Sequence, residues 1–199
     1  IKLINNNIRM EYKTSNMAVS NSNTVNLNDI INTYKNGYLK IYTGPMYAGK
    51  STVVTNIYKQ ALSCNIKTVV LTHQTETRYS IQHLSTHNKQ HIPCCKYNTI
   101  TEFIKDKYGE IMTADIILID EAQFFDDKIV QVCETLANAG KRVIVAGLDM
   151  DYLGKPFGPI PQLLSVANYV TKLHAVCMKC GGIASYSYRI SKNTDQVVL

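Results

Sequence analysis

The pattern of apolar and polar positions changes near residue 37 of this 199-residue chain. Residues 1–37 contain ten asparagines and little periodic apolar pattern. Asparagine favours turns and competes with the backbone bonds of a helix, so we expect a poorly ordered leader, with at most a short helix near residues 29–34. From residue 38 onward, compact apolar runs alternate with segments of near-helical spacing.

These apolar runs predict strands and helices in alternation. Runs rich in β-branched or aromatic residues predict strands at 38–43, 67–72, 115–119 and 142–146. Helical spacing predicts helices at 52–62 and 99–108, and a third helix that Asp126 or Asp127 caps and Gly140 follows. The alternation implies right-handed crossovers, and therefore an α/β fold with a doubly wound parallel sheet.

A phosphate-binding loop lies between the first predicted strand and the first predicted helix. Positions 44–51 read G-P-M-Y-A-G-K-S, a complete G-x-x-x-x-G-K-S pattern. Gly44 and Gly49 let the backbone bend until consecutive N–H groups point at an anion, and the helix N-terminus adds partial positive charge. Lys50 is placed to reach the β- and γ-phosphates, and the Ser51 hydroxyl to ligate Mg²⁺. The loop predicts binding of ATP or GTP.

An apolar strand that ends in two acids supplies the second half of a nucleotide site. Asp120 follows the run I-I-L-I, at a strand end where it can hold Mg²⁺ directly or through water. Neighbouring side chains diverge at a strand end, so Glu121 can face the acceptor and take a proton from an attacking hydroxyl or water. The pattern alone leaves open which of the two acids is the base.

Length, hydrophobic content and charge limit the classes of protein to which this chain can belong. The chain fits one globular domain with a small appendage, and its 45% hydrophobic content supports a core. It has no run of 18 or more apolar residues and no secretory signal pattern, so we expect a cytoplasmic protein without a membrane span. The net charge of +6 is spread out, and no basic block with interleaved aromatics predicts nucleic-acid binding. Ile1 in place of an initial Met leads us to expect a fragment or a processed product.

The six cysteines are expected to stay reduced in such a compartment. Cys64 and Cys133 fall in apolar helical contexts, which predicts small core residues. The adjacent residues 94 and 95 have no recognisable metal spacing. Cys177 and Cys180 have the C-x-x-C spacing of half a zinc site.

Six motifs in register give this chain a specific resemblance from about residue 38 to its end. They are G-P-M-Y-A-G-K-S-T at 44–52, T-R-Y-S at 77–80, D-E-A-Q-F-F at 120–125, A-N-A-G-K at 137–141, K-P-F-G at 155–158 and K-L-H-A-V-C at 172–177. Together they closely resemble the type II thymidine kinases of cells, poxviruses and bacteria. The resemblance implies a RecA-like P-loop kinase core over 38–174, between the leader 1–37 and a zinc-binding and lasso subdomain that begins at 175.

The implied activity is Mg²⁺-dependent transfer of the ATP γ-phosphate to the 5′-hydroxyl of thymidine, which serves DNA precursor salvage. By resemblance Glu121 is the general base, and Arg78 lies near the transferring phosphate. Glu76 stands where the family usually has an Asp that helps hold the water shell of the metal, and it is one methylene longer. The residues assigned to Mg²⁺ by the resemblance are Ser51, Asp120 and Glu76. The residues assigned to ATP are Gly44, Pro45, Met46, Tyr47, Ala48, Gly49, Lys50, Ser51, Thr52, Asp120 and Gln123.

The resemblance also implies a nucleoside pocket and a metal site. The pocket would be lined by Met46, Phe124, Leu148, Tyr152, Phe157 and His174. Cys177 and Cys180 match the first half of a four-cysteine structural zinc site. Because no Cys or His follows them, we expect a C-terminally truncated chain with poor zinc affinity and an incomplete lasso. The family is commonly tetrameric, so a homo-oligomer is expected.

Two other classes of protein remain open from sequence. D-E-A-Q at 120–123 is similar to a helicase box, which would suit a RecA-like motor ATPase. A degenerate copy or gene fragment would bind nucleotide without turnover. Thymidine should stabilise the kinase against heat, whereas single-stranded nucleic acid should stabilise the motor. His83, His87 and His91 recur every fourth residue, but that segment is predicted to be a loop and we do not expect a metal there.

Overall fold

The structure is a computed structural model that describes residues 37–75, 83–85 and 91–190, with only the backbone described at 83–85 and 91. Its strands and helices in chain order are β1 (Tyr38–Thr43), α1 (Lys50–Ser63), β2 (Thr68–His73), β3 (His83–Ser85), β4 (His91–Pro93), β5 (Cys95–Tyr97), α2 (Ile100–Thr113), β6 (Ile116–Asp120), α3 (Lys128–Asn138), β7 (Arg142–Gly147), α4 (Ile160–Val166), β8 (Tyr169–Lys172), β9 (Ala175–Val176) and β10 (Ile183–Ala184). A short 3₁₀ turn, Ala122–Phe124, follows β6.

Six strands form one parallel sheet in the order β5-β2-β6-β7-β1-β8. β1 pairs with β7 along its whole length, from Tyr38 opposite Arg142 to Thr43 opposite Gly147. β8 pairs with the last four residues of β1. Two further two-stranded antiparallel ladders, β3–β4 and β9–β10, lie outside this sheet. The expected α/β fold, a parallel sheet flanked by helices, is confirmed.

Helices cover both faces of the sheet because alternate strand residues are apolar on both sides. One face packs α2, α3 and α4 against strand residues such as Leu39, Ile117 and Val143. The other face packs α1 against strand residues such as Leu118 and Ile144. Burial on both sides leaves the carboxyl edge of the sheet as the place where polar side chains collect.

The predicted helices are present with altered bounds. The helix expected at 99–108 continues to Thr113, and Thr99 begins it through a capping box with Glu102. α3 begins at Lys128, whose backbone N–H donates to the Asp126 carboxylate at 3.2 Å, and Gly140 follows it with a φ of 87°. The four predicted strands match β1, β2, β6 and β7 within one residue at each end.

Two predictions were wrong in detail. Cys64 is exposed rather than buried, because it lies just beyond the last turn of α1 and not on its packed face, whereas Cys133 is fully buried as expected. The segment containing His83 and His91 is not simply a loop, since β3 and β4 pair antiparallel there. The leader, apart from Gly37, lies outside the described residues, and its predicted helix with it. Within the described segments, no helix is long and apolar enough to cross a membrane.

Candidate nucleotide and phosphoryl-transfer site

The phosphate loop leaves β1 and enters α1 through three residues with positive φ. These are Gly44 at 135°, Tyr47 at 63° and Gly49 at 86°. A Cβ at Gly44 would lie 2.1 Å from the carbonyl oxygen of Leu173, so only glycine fits where the loop crosses the end of β8. Gly49 occupies the N-cap of α1 without a side-chain cap, which leaves the N–H groups of the first turn for an anion.

Lys50 lies beneath its own loop. Its side chain is 8% exposed, and Nζ donates to the carbonyl oxygens of Pro45 at 2.7 Å and Gly44 at 3.1 Å. Those carbonyls hold the ammonium group at the centre of the loop, where the phosphates of a bound nucleotide would lie. Met46 and Tyr47, on the outside of the same loop, are exposed.

Asp120 is a buried carboxylate at the end of β6, next to the phosphate loop. It is 1% exposed, and Oδ1 accepts from the backbone N–H of Glu121 at 2.9 Å. Oδ2 is buried without a hydrogen-bond partner among the residues that the structure describes. Burial, followed by the charge of Glu121, raises the pKa of Asp120 to about 7, while the Ser51 side chain and Lys50 oppose the shift. A buried, unpartnered carboxylate oxygen beside a serine hydroxyl fits the hard oxygen ligands that Mg²⁺ takes.

Glu121 directly follows β6 with a left-handed φ of 54°. Gln123 joins the Glu121 side chain to the loop after β7 through two hydrogen bonds. Glu121 Oε2 accepts from Gln123 Nε2 at 2.6 Å, and Gln123 Oε1 accepts from the backbone N–H of Leu148 at 3.0 Å. Glu121 remains only half-buried, so a substrate can reach it.

The loop after β7 is organised by Asp151, a residue that the sequence analysis did not single out. Asp151 is 4% exposed, and its Oδ1 accepts from the backbone N–H groups of Leu153 at 2.9 Å and Lys155 at 3.0 Å. The sequence signal was present, because Asp three residues before Gly154 is typical of a side-chain-stabilised turn. The resulting loop delivers Tyr152 and Phe157 toward the site.

Aromatic rings cluster around Phe124, three residues after Glu121. Phe124 and Phe157 meet edge to face with centroids 5.7 Å apart, and His73 lies 5.8 Å from Phe124. His73 was missed from sequence because a strand-end histidine carries no signal of its own. Its Nδ1 accepts from the Thr75 N–H, so Nε2 donates to the Asn98 carbonyl at 2.9 Å. Burial lowers the pKa of His73, and the bond to Asn98 opposes the shift.

Residues 185–190, which we call the C-terminal strap, cross back over the site. Ser187 Oγ accepts from the backbone N–H of Met46 at 2.9 Å, which links the strap to the phosphate loop. The Arg189 guanidinium lies 3.6 Å from the ring centroid of Tyr152. His174, which is exposed, contacts Ser185 through Nδ1 at 3.1 Å. The strap therefore contacts three of the segments predicted to hold nucleoside.

Cys177 and Cys180 lie on the tight turn between β9 and β10. The Cys177 carbonyl accepts from Gly181 N–H, and its N–H donates to the Gly182 carbonyl, both at 2.8 Å. The backbone N–H groups of Cys180 and then Lys179 lower the pKa of the Cys177 thiol. Among the described residues, no group of three or more His, Cys, Asp or Glu side chains is positioned to hold a metal ion.

The structure brings most of the predicted site together at one edge of the sheet. The phosphate loop, Asp120, Glu121 and Gln123 lie there, and the loops bearing Leu148, Tyr152 and Phe157 close around them. Glu76 and Arg78 lie outside the described residues. A glycine-rich loop entering a helix beside a buried strand-end carboxylate, on a parallel sheet, defines a P-loop nucleotide-binding protein.

The chain belongs to the thymidine kinase family, whose family model matches residues 37–199. It is 40% identical over 167 residues to a thymidine kinase of Bacteroides thetaiotaomicron, with 84% of this chain and 82% of that one covered. It is 38% identical over 167 residues to a thymidine kinase of Rhodothermus sp., with 82% and 75% covered. Among solved structures, a flagellar accessory protein FlaH from Methanocaldococcus jannaschii is similar with a TM-score of 0.47 at 13% identity, covering 82% of this chain and 87% of that one.

Proposed function

We propose that this protein transfers the γ-phosphate of ATP to the 5′-hydroxyl of thymidine, giving thymidine monophosphate. The observation that carries the proposal is the pair Asp120 and Glu121 at the end of β6. One carboxylate is buried beside Ser51 and Lys50, and the other is half-buried, accepts from Gln123 and precedes by three residues Phe124, whose ring packs against Phe157. Family membership supports this kinase function over a motor ATPase, and no feature of the described residues favours the motor.

In the proposed mechanism the phosphate loop binds the triphosphate through its N–H groups and Lys50. Residues 44–52 form the binding loop, and Ser51 and Asp120 would hold Mg²⁺, with Glu76 as a further candidate for its water shell. Bound Mg²⁺ would neutralise charge on the β- and γ-phosphate oxygens. Glu121 accepts the proton of the 5′-hydroxyl of thymidine. The hydroxyl oxygen attacks the γ-phosphorus while the bond between that phosphorus and the leaving ADP oxygen breaks. Arg78 is proposed to stabilise charge on the transferring phosphoryl group.

The proposed nucleoside pocket combines the aromatic rings around Phe124 with the strap. Phe124 and Phe157 would pack against the base, and Met46, Leu148, Tyr152 and His174 would complete the lining. The Phe124–Phe157 contact and the strap contacts at Met46, Tyr152 and His174 support this assignment. The strap would then close the pocket from the solvent side.

Further proposals concern zinc, assembly and compartment. Cys177 and Cys180 are proposed as two ligands of a structural zinc ion, supported by the backbone N–H groups that stabilise the Cys177 thiolate. A cytoplasmic location is supported by six free cysteines. A homo-oligomer, tetrameric by family resemblance, is supported by the edge strand β8, where Tyr169 and Val170 are 38% and 49% exposed. Light scattering of the purified chain tests its assembly, and metal analysis tests the zinc site.

The function is tested by incubating the purified chain with Mg²⁺, γ-labelled ATP and thymidine and measuring labelled thymidine monophosphate. Glu121→Gln should lower kcat by about 10²–10⁴ while ATP and thymidine binding persist, because the amide cannot take the proton. Glu134→Gln, at an exposed position of α3, is the matched control and should behave as the parent. Thermal stabilisation by single-stranded DNA, with no effect of thymidine, would contradict the proposal. A Glu121→Gln variant whose binding of ATP and thymidine falls as much as its kcat would also contradict the proposal.

A further inference from the structure

The Gln123 side chain joins Glu121 to the loop after β7. It lies in the 3₁₀ turn Ala122–Phe124 and is 3% exposed, so it offers almost no surface to a bound molecule. Both polar ends of its amide are taken up inside the protein, one by the Glu121 carboxylate at 2.6 Å and one by the Leu148 N–H at 3.0 Å.

The orientation of this amide is determined by its partners. The backbone N–H of Leu148 can only donate, so Oε1 of Gln123 must face it. The amide nitrogen therefore faces Glu121, whose ionised carboxylate can only accept. Swapping the two ends would set donor against donor and acceptor against acceptor.

Two glycines hold Gln123 in place. A Cβ at Gly158 would lie 2.2 Å from the backbone oxygen of Gln123, and a Cβ at Gly147 would lie 3.0 Å from its Oε1. The neighbouring backbone therefore approaches the residue more closely than any side chain would allow. A glutamine fixed this tightly can hold Glu121 in one orientation.

We propose that Gln123 is a positioning residue for Glu121, and that it does not itself bind ATP. The inference rests on the proposed function, in which Glu121 accepts the 5′-hydroxyl proton. The amide N–H of Gln123 holds one carboxylate oxygen of Glu121 and keeps the base aimed at the acceptor. The same amide accepts from the Leu148 N–H. The orientation of the Glu121 carboxylate therefore depends on the loop after β7, which is proposed to line the nucleoside pocket.

The test uses two substitutions of similar size. Gln123→Met removes both hydrogen bonds, and Gln123→Glu keeps the shape but replaces the donor to Glu121 with an acceptor. Each is made in the parent and in Glu121→Gln, and kcat, the KM for thymidine and the Kd for ATP are measured. Gln162→Met, at an exposed position of α4, is the matched control.

In the parent background both substitutions should lower kcat about 10- to 100-fold, with the Kd for ATP within about threefold of the parent value. In the Glu121→Gln background the same substitutions should change the residual rate less than about twofold, because a positioning residue has nothing left to position. If Gln123→Met folds poorly, the isosteric Gln123→Glu decides the matter.

Three results would overturn the proposal: a kcat within about twofold of the parent for the Gln123 variants, an ATP affinity that falls in step with kcat, or an equal loss of rate in both backgrounds. The second result would make Gln123 an ATP ligand, and the third a general structural residue. A parent chain that does not phosphorylate thymidine would instead refute the proposed function, a failure that the parent assay alone reveals.

Discussion

Lys50 and Asp120 are oppositely charged, nearly fully buried, and held by backbone groups close to them in sequence. Lys50 donates to carbonyls of its own loop, and Asp120 accepts from the N–H of the next residue. Lys50 also lowers the pKa of Asp120, although burial and Glu121 outweigh it. Each charge is partly compensated by the other, so removing either one should change more than its own contacts.

Lys50→Ala should lower phosphoryl transfer by at least about 10²-fold, because the cation at the centre of the phosphate loop is lost while the loop backbone remains. The measurement is kcat at saturating ATP and Mg²⁺. Lys59→Ala, at an exposed position of α1, is the control. Activity of Lys50→Ala within a few-fold of the parent would refute the assignment of this loop to catalysis.

Asp120→Asn should change the pH dependence of stability in metal-free buffer. The pKa of Asp120 rises from 3.8 to about 7 on folding, so between these values the folded chain binds a proton more tightly than the unfolded chain. The parent therefore loses stability as the pH rises through this window. Asn does not ionise, so Asp120→Asn avoids this loss of stability. Its melting temperature should lie at least about 3 °C above that of the parent at pH 8 and should equal that of the parent near pH 4.

Thermal unfolding between pH 4 and 8 in the presence of a chelator measures this difference, and Asp127→Asn, at an exposed position, is the control. A lower melting temperature of Asp120→Asn at pH 8 would show that ionised Asp120 stabilises the fold. The same variant should lose Mg²⁺-dependent activity, so a gain in stability would accompany a loss of function.

At the scale of elements, strands that are apolar on both faces were predicted well, and short or polar elements were not. β6 and β7 were predictable from sequence because their residues are buried on both faces of the sheet, which gives a near-continuous apolar run. β8 reads Y-V-T-K and is mostly exposed at the sheet edge, so its strand character comes from pairing with β1. The α4 helix has only seven residues and begins beside a proline, which is too short for a clear periodic signal.

The site divides in the same way. The placement of the phosphate loop and of the acids at the end of β6 was predictable, because these motifs carry particular residues at fixed spacing between a strand and a helix or at a strand end. The Gln123 bridge, the Asp151 turn and the fixed tautomer of His73 were not, because each depends on a partner distant in sequence or on a local turn. Gln123, for example, reaches Leu148 across 25 positions. Which residues touch across such distances is decided by the order of strands in the sheet.

Thr99→Ala tests the capping box that begins α2. The Thr99 hydroxyl accepts from the Glu102 N–H at 3.2 Å, and the Glu102 carboxylate accepts from the Thr99 N–H at 3.3 Å. Loss of the hydroxyl should reduce the free energy of unfolding by about 1 kcal/mol. Urea unfolding measures it. Thr135→Ala, an exposed mid-helix threonine of α3, should be neutral or slightly stabilising. A cost of equal size at both positions would contradict a capping role.

At the scale of the whole molecule, the C-terminal strap joins loops that leave three different strands. It contacts Met46 after β1, Tyr152 after β7 and His174 after β8. Nucleotide binding by the phosphate loop needs few of these contacts. The proposed nucleoside pocket, by contrast, is made by several segments at once and depends on their relative position.

Arg189→Ala should therefore weaken thymidine binding about 3- to 10-fold while ATP affinity stays within about twofold, because the guanidinium no longer holds the Tyr152 ring. Calorimetry with each ligand separately measures the two affinities. Lys179→Ala, which removes an exposed cation from the β9–β10 turn, is the control. Equal loss of both affinities would mean that the strap stabilises the whole fold and not the pocket.

The position of β1 between β7 and β8 also dictates when the chain can fold. During synthesis the phosphate loop leaves the ribosome early, but of the two strands that flank β1, β7 follows only after roughly 100 further residues and β8 after roughly 125. Until then β1 has no neighbour in the sheet, and the loop that it carries has no fixed shape. Capture of nucleotide must therefore be among the last events in the maturation of the nascent chain, and a ribosome stalled before residue 142 would display the motif without the ability to bind.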